Sequence, residues 1–191
     1  MSCNFNFSKT VISGLYEISP HVVDDSRGRF IKDYSKDLFE LNGINHNISE
    51  IFYSSSHKGV IRGLHFQRIY PQPKLVRCIY GHIYDVVVDL RVSSYTFKKW
   101  IAFELTGDNC NEILVPAGCA HGFLVLDDSL VAYKCSENFH SEYDDGIFWN
   151  DSDLNIYWPL DRIGGIENVI LSEKDANLQS FSEYFDKYGG F

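Results

Sequence analysis

Between Ile51 and Cys135 the chain passes through one short apolar segment after another, each closed by turn formers, with no helical period between them. That succession limits the possible folds more than any other feature. Turn chemistry interrupts the run at Ser54 to Gly59, Ile69 to Pro73, Val92 to Lys98, Thr106 to Cys110 and Pro116 to Gly118. Strands are expected over Val60 to Gln67, Ile83 to Arg91, Trp100 to Leu105, Glu112 to Val115, His121 to Leu126 and Leu130 to Cys135. A parallel α/β sheet needs crossover helices that this stretch lacks, so the pattern predicts an all-β sandwich or barrel, with a Greek-key jelly roll as the best fit. Upstream, residues 11 to 18 read as a strand ended by Pro20. Ser35 to Asn42 reads as a short helix with Ser35 as N-cap and Leu38, Phe39 and Leu41 on its packed side. From about Asp151 come turns, Trp158-Pro159, a short helix over Ser172 to Leu178 and an aromatic tail. With 191 residues, 45% of them hydrophobic, the chain can bury one core. The expectation is one domain over 1–191, with the N-terminal strand and the C-terminal helical tail as extensions.

Several expected strands carry ionisable groups where a core wants none. In Ile83 to Arg91, residues Tyr84, Val86, Val88 and Leu90 face one layer, while Asp85, Val87 and Asp89 face the other. Burying a carboxylate is costly unless it is paired or used. His65 stands in Arg62-Gly63-Leu64-His65-Phe66-Gln67, Lys74 follows, His121 comes after a Pro-Ala-Gly turn, and Tyr133 sits between Ala132 and Lys134. A hydrogen-bonded core histidine is the plain account of His65 taken alone; its company favours a cavity with a base in its wall. Strict alternation turns Arg62 away from His65. A bulge at Gly63 re-aims the arginine, or it reaches the cavity around the strand end, and the sequence leaves both open. Arg27 and Arg29 flank Gly28 in a turn that is either solvated or fitted to an anionic oxygen.

The five cysteines are odd in number, widely spaced and without a CxxC pair, which predicts free, mostly packed thiols rather than disulfides or zinc. A net charge of −9 disfavours nucleic acid as a partner. No apolar run approaches the roughly 18 residues of a membrane span, and nothing resembles a signal peptide. A cytoplasmic protein without membrane partners is expected.

Taken together, the motifs resemble the dTDP-4-dehydrorhamnose 3,5-epimerase family of deoxysugar epimerases. The resemblance is carried by Arg62 to Gln67, Lys74-Leu75-Val76-Arg77, Asp85 to Arg91 with Thr96-Phe97 and Trp100, Pro116 to Phe123, Tyr133-Lys134, Trp158-Pro159 and Leu171-Ser172-Glu173-Lys174-Asp175. It implies a cupin-like double-stranded β-helix (jelly roll) with short flanking helices, a homodimer, and a nucleotide-diphosphate sugar as ligand. It further implies that His65 is the catalytic base, Asp175 its carboxylate partner, Tyr133 the acid on the opposite face of the sugar, and Lys74 the cation near the 4-keto oxygen. Arg62 and His121 match ligand-contacting residues, and Arg27 matches an arginine that meets the diphosphate. The chemistry is coherent, since a proton next to a ketone leaves readily only when the enolate oxygen is stabilised. Removal and return on opposite faces require two separately placed groups. No cofactor is needed.

The chain departs from that family where the nucleobase would lie. Lys32 and Glu50 replace a glutamate and a glutamine, Phe52 replaces an asparagine, and Asn138, beside Phe139, replaces a tyrosine against the base. Exchanging acceptor for donor suits cytosine better than thymine. This makes a CDP-linked sugar the expectation if Lys32 and Glu50 reach the base, with drift at a pocket rim as the plain alternative. Other readings are a sugar-nucleotide 3,4-ketoisomerase, a metal-dependent cupin, or a non-catalytic sugar-nucleotide-binding jelly roll. The metal version lacks the two histidines one residue apart that such sites use. A binding protein would have no need of the acid–base set.

Overall fold

The computed structural model describes residues 4–191, so Cys3 lies outside the described residues. In chain order the strands are β1 (Asn6–Lys9), β2 (Tyr16–Ser19), β3 (His21–Asp25), β4 (Gly28–Lys32), β5 (Glu50–Ser56), β6 (Ile61–Gln67), β7 (Lys74–Asp89), β8 (Trp100–Thr106), β9 (Glu112–Val115), β10 (Cys119–Cys135) and β11 (Asp144–Gly146). Helix α1 (Lys36–Leu41) follows β4, while α2 (Glu173–Ala176) and α3 (Phe181–Tyr188) close the chain.

The jelly roll is organised by two long antiparallel strands, β7 and β10, paired along almost their whole lengths. The first half of β7 pairs with β9 and the second with β8. Likewise the first half of β10 pairs with β6 and the second with β5. Each long strand therefore turns a corner from one sheet to the other. The register of their ladder shifts between Val125 and Val131, where the corner falls. Sequence periodicity reads this corner as a gap between two strands, because Asp127-Asp128-Ser129 has turn composition although pairing continues around it. One sheet runs on through β9 to β2 and β1; the other runs through β6 to β11; β3 and β4 form a separate hairpin.

Apolar side chains segregate as strand alternation demands. Val76, Cys78, Ile83, Val87, Phe123 and Val131 fill the space inside the roll. Val86 and Val88, on the opposite face of β7, and Leu90 just after it pack beneath the C-terminal segment with Trp149, Trp158, Phe181 and Tyr184. A third cluster seats Phe39 of α1 against Ile18, Leu75 and Leu114. Asp89 is accounted for structurally: its buried carboxylate accepts from Arg91 Nε (2.8 Å), Ser94 Oγ (2.6 Å) and Thr96 Oγ1 (2.7 Å) and ties down the turn after β7. Burial alone raises its carboxyl, but these hydrogen bonds outweigh burial and bring it down to about 2.

Three local expectations are corrected. Residues 10–15 form a turn and the strand begins at Tyr16, leaving Val11 78% exposed. That strand, β2, pairs with β1 on one side and β9 on the other. Leu41 is 81% exposed at the end of α1, and Ser35 makes no side-chain capping bond there. In the C-terminal tail, α3 starts on a full capping box between Ser180 and Glu183 and ends at Gly189 in the left-handed region.

Candidate active site

A cavity of about 410 Å³ opens between the two sheets, lined by β5 (Glu50, Phe52, Ser54), β6 (Arg62, His65, Gln67), Lys74 at the start of β7, and β10 (His121, Phe123, Tyr133). Phe139, Gln72, Asp144 and Lys174 complete its rim. This volume lies within the range typical of small-molecule sites.

Arg62 and His65 share the cavity because β6 is irregular. Its partners on β10 are Phe123 for Arg62 and His121 for His65, so an extra residue on β6 is accommodated between them. Gly63 is the place, with φ at +121° and a Cβ there coming within 2.5 Å of Gly122 Cα. The bulge, rather than a path around the strand end, turns the arginine inward. Arg62 Nε then donates to Ser56 Oγ at 2.9 Å.

His65 Nε2 lies 2.6 Å from Asp175 Oδ1. The carboxylate is held in turn by α2: Ser172 caps that helix by accepting from the Asp175 backbone N–H (3.0 Å) and donates to Asp175 Oδ2 (2.6 Å). Burial works to raise the Asp175 carboxyl, but the hydrogen bonds from His65 and Ser172 outweigh it and hold the group below the usual carboxylate range. A charged carboxylate thus occupies one ring nitrogen of His65, whose side chain is 29% exposed. A second pair lies deeper, with His121 Nε2 2.9 Å from Asp85 Oδ2. There burial raises the Asp85 carboxyl, with His121 and Lys74 opposing it.

Tyr133 is 7% exposed, and burial pushes its phenol up, so it stays protonated. Lys74 makes no hydrogen bond or ion pair among the described residues; burial lowers its ammonium, while Cys135, Asp144, Asp85 and Glu50 act the other way. Glu50 is not free at the rim, since Gln72 Nε2 donates to Glu50 Oε1 at 2.8 Å and to the Glu137 carbonyl at 3.0 Å.

The remaining expected site residues lie elsewhere. Arg27 is at the tip of the β3–β4 hairpin, its side chain 88% exposed and paired with Asp25 at 2.6 Å. Lys32, at the end of β4, is also outside the cavity lining. Among the described residues the hairpin pairs with no strand of the larger sheet, and neither side chain lines the cavity. Asn138 is absent from the lining as well; its carbonyl accepts from Gln67 Nε2 at 3.2 Å, and its neighbour Phe139 faces the cavity instead. The donor–acceptor exchange expected of Lys32 and Glu50 therefore has no geometric basis within one chain. Sequence reasoning missed Ser54, Gln67, Gln72, Asp144 and Lys174. Lys174 was signalled only by adjacency to Asp175; Gln72, between two prolines, gave no signal.

Chemically, the cavity brings together an imidazole tied to a carboxylate, a protonated phenol and an ammonium without an ion-pair partner among the described residues. That set can take a proton from carbon, stabilise the resulting oxyanion and return a proton. Among the described residues no group of three or more His, Cys, Asp or Glu is placed to hold a metal ion.

Fold and cavity together define an enzyme of the cupin-like jelly-roll class whose site is suited to isomerisation by proton transfer. The model of the dTDP-4-dehydrorhamnose 3,5-epimerase family matches residues 9–183. The enzyme of that description from Methanothermobacter thermautotrophicus is 45% identical over 180 residues, covering 94% of this chain and 96% of its own. That from Escherichia coli K12 is 40% identical over 181 residues, covering 93% and 95%. The crystal structure of dTDP-6-deoxy-D-glucose-3,5-epimerase from Legionella pneumophila, in complex with dTDP-4-keto-L-rhamnose, superposes with a TM-score of 0.87 at 38% identity over 94% of each chain. The chain belongs to the dTDP-4-dehydrorhamnose 3,5-epimerase family and is an epimerase of a nucleotide-diphosphate-linked 4-keto-6-deoxy sugar.

Proposed function

We propose that this enzyme inverts C5 and C3 of a dTDP-linked 4-keto-6-deoxyhexose, with His65 as base and Tyr133 as acid. The observation that carries the reading is the 2.6 Å His65–Asp175 contact in the wall of a cavity shared with Tyr133 and Lys74. The imidazole removes the proton on the carbon next to the ketone, and the C–H electron pair moves into the enolate. Lys74 faces the charge that develops on the 4-oxygen. Tyr133 returns a proton to C5 from the other side; solvent then restores the phenol's proton and takes the one His65 gained. Asp175 holds the ring of His65 in one tautomer and stabilises the imidazolium as it forms. Arg62, His121 and Phe139 bind the substrate.

For the nucleotide, dTDP is favoured by the substrate named for the relatives. Incubation of His65→Ala with the 4-keto sugar nucleotide in D₂O tests the base: loss of deuterium entry at C3 and C5 is expected, and exchange at the wild-type rate would remove His65 from the mechanism. NMR of the reduced wild-type product reads the configuration; an unchanged C5 contradicts the assignment.

The same reading makes the protein a cytoplasmic homodimer. Among the described residues strand β5 pairs on one edge only, with β10, and shows Ile51 and Tyr53 at 52% and 62% exposure, an edge of the kind that a two-fold partner covers. Arg27 and Lys32, remote from their own cavity, then serve the partner's, with Arg27 at the diphosphate. A sedimentation mass near one 22.0 kDa chain at working concentration would exclude this arrangement.

A further inference from the structure

Phe52 and Tyr133 are directly opposed across the β5–β10 ladder. Their rings stack with centroids 4.7 Å apart and planes 18° apart. The His121 ring meets Tyr133 edge-on from another direction at 6.3 Å and 79°, and His121 is itself fixed by Asp85. The phenol is therefore held between a phenyl face and an immobilised imidazole. The stacked pair is unequal towards solvent, for Phe52 is 39% exposed and Tyr133 only 7%, while both line the cavity. Phe52 is thus the outer cover of the phenol.

An acid that delivers a proton to carbon works within a narrow range of distance and angle, and an error of about 1 Å costs on the order of 100-fold. A tyrosine ring turning about its side-chain bonds would leave that range. Aromatic stacking has a preferred offset geometry and opposes such turning.

We propose that Phe52 is a positioning residue for Tyr133, fixing the plane of the phenol and keeping bulk water from it, so that proton return at the carbon Tyr133 serves is efficient. This rests on the epimerase reading above with Tyr133 as the acid at C5. Phe52 touches no reacting atom in this role and acts through its neighbour. Because burial is what raises the Tyr133 phenol, opening its outer face works against that rise.

The test uses the full chain with Phe52→Leu and Phe52→Tyr, following deuterium entry and inversion at C3 and C5 separately by NMR in D₂O with dTDP-4-keto-6-deoxyglucose. In Phe52→Leu, C3 exchange is expected to stay within about threefold of wild type and C5 inversion to fall about tenfold or more, with little change in KM. Phe52→Tyr, which keeps the stack, restores the C5 rate. Equal losses at both carbons, a rise in KM alone, or an unchanged C5 rate would each overturn the proposal, and any of these leaves wild-type exchange intact. A wild type that exchanges neither carbon instead defeats the epimerase reading, and the proposal with it.

Discussion

Replacing Asp175 by asparagine separates what its charge does from what its shape does. The asparagine carbonyl can accept from His65 Nε2 as the carboxylate does across 2.6 Å. Its amide then meets Ser172 Oγ, which now donates to Asp175 Oδ2 at 2.6 Å and needs only to rotate its proton to accept. The ring is held and the tautomer kept, but the negative charge opposite the forming imidazolium is gone. Hydrogen bonds to charged groups contribute about 1.5–3 kcal/mol and neutral ones about 0.5–1.5, so the difference is about 1–2 kcal/mol. Felt at the transition state, that slows proton abstraction by roughly 5- to 30-fold. Asp175→Ala leaves the ring unsupported and is expected to cost more, on the order of 10²–10⁴, the range of general-base loss. Initial rates of deuterium entry from D₂O at saturating substrate give both numbers, with near-ultraviolet circular dichroism as a check on folding. If Asp175→Asn exchanges at the wild-type rate, or loses as much as His65→Ala, the division into orientation and charge is wrong.

Glu112 provides a stability test. It is fully buried, neither carboxyl oxygen meets hydrogen-bond distance and geometry among the described residues, and Lys134 Nζ is 3.8 Å away, already closer to Asp33 at 2.7 Å. Burial raises its carboxyl well above the ordinary value, so the folded state holds that proton more tightly than the unfolded chain. Its contribution is therefore fully present at low pH and falls as pH rises from the unfolded towards the folded value, by about 1.4 kcal/mol per pH unit. Glu112→Gln removes this slope, so urea unfolding at matched protein concentration should show the variant gaining on wild type as pH rises; a growing deficit would mean that Glu112 is ionised and paired with Lys134. Tyr133→Phe should keep deuterium exchange by His65 but lose C5 inversion, and unchanged inversion would remove Tyr133 as the acid. Lys74→Met should lower kcat about 10²–10³-fold, the usual effect of losing an oxyanion donor; a change confined to KM would make Lys74 a binding residue only. In competition binding, dTDP should outcompete CDP, and the reverse order would restore the base exchange at Lys32 and Glu50.

The sequence by itself determined what depends on local pattern. Alternation in Ile83 to Arg91 already separated Val86 and Val88, beneath the C-terminal segment, from Asp85 and Val87, inside the roll, because side-chain period in a strand is a local property. The absence of helices between strands was likewise enough for an all-β jelly roll. A short helix over Ser172 to Leu178 was expected from local pattern, and α2 forms there over the shorter span Glu173–Ala176. The Ser180–Glu183 capping box of α3 is likewise a local pattern, three residues apart in the sequence.

Tertiary structure decided whatever depends on which distant segments pair. The same carboxylate chemistry at Asp85 and Asp89 ends in different uses, one against His121 at the cavity and the other around its own turn, and only the partners distinguish them. Arg62 joins His65 because Gly122 of β10 comes so close to Gly63 that the ladder takes an extra residue, a fact of strand pairing that alternation along one strand cannot contain. Arg27 and Lys32 are equally conspicuous in the sequence yet sit on a separate hairpin away from their own chain's cavity, since convergence on a site follows from long-range topology and not from residue type.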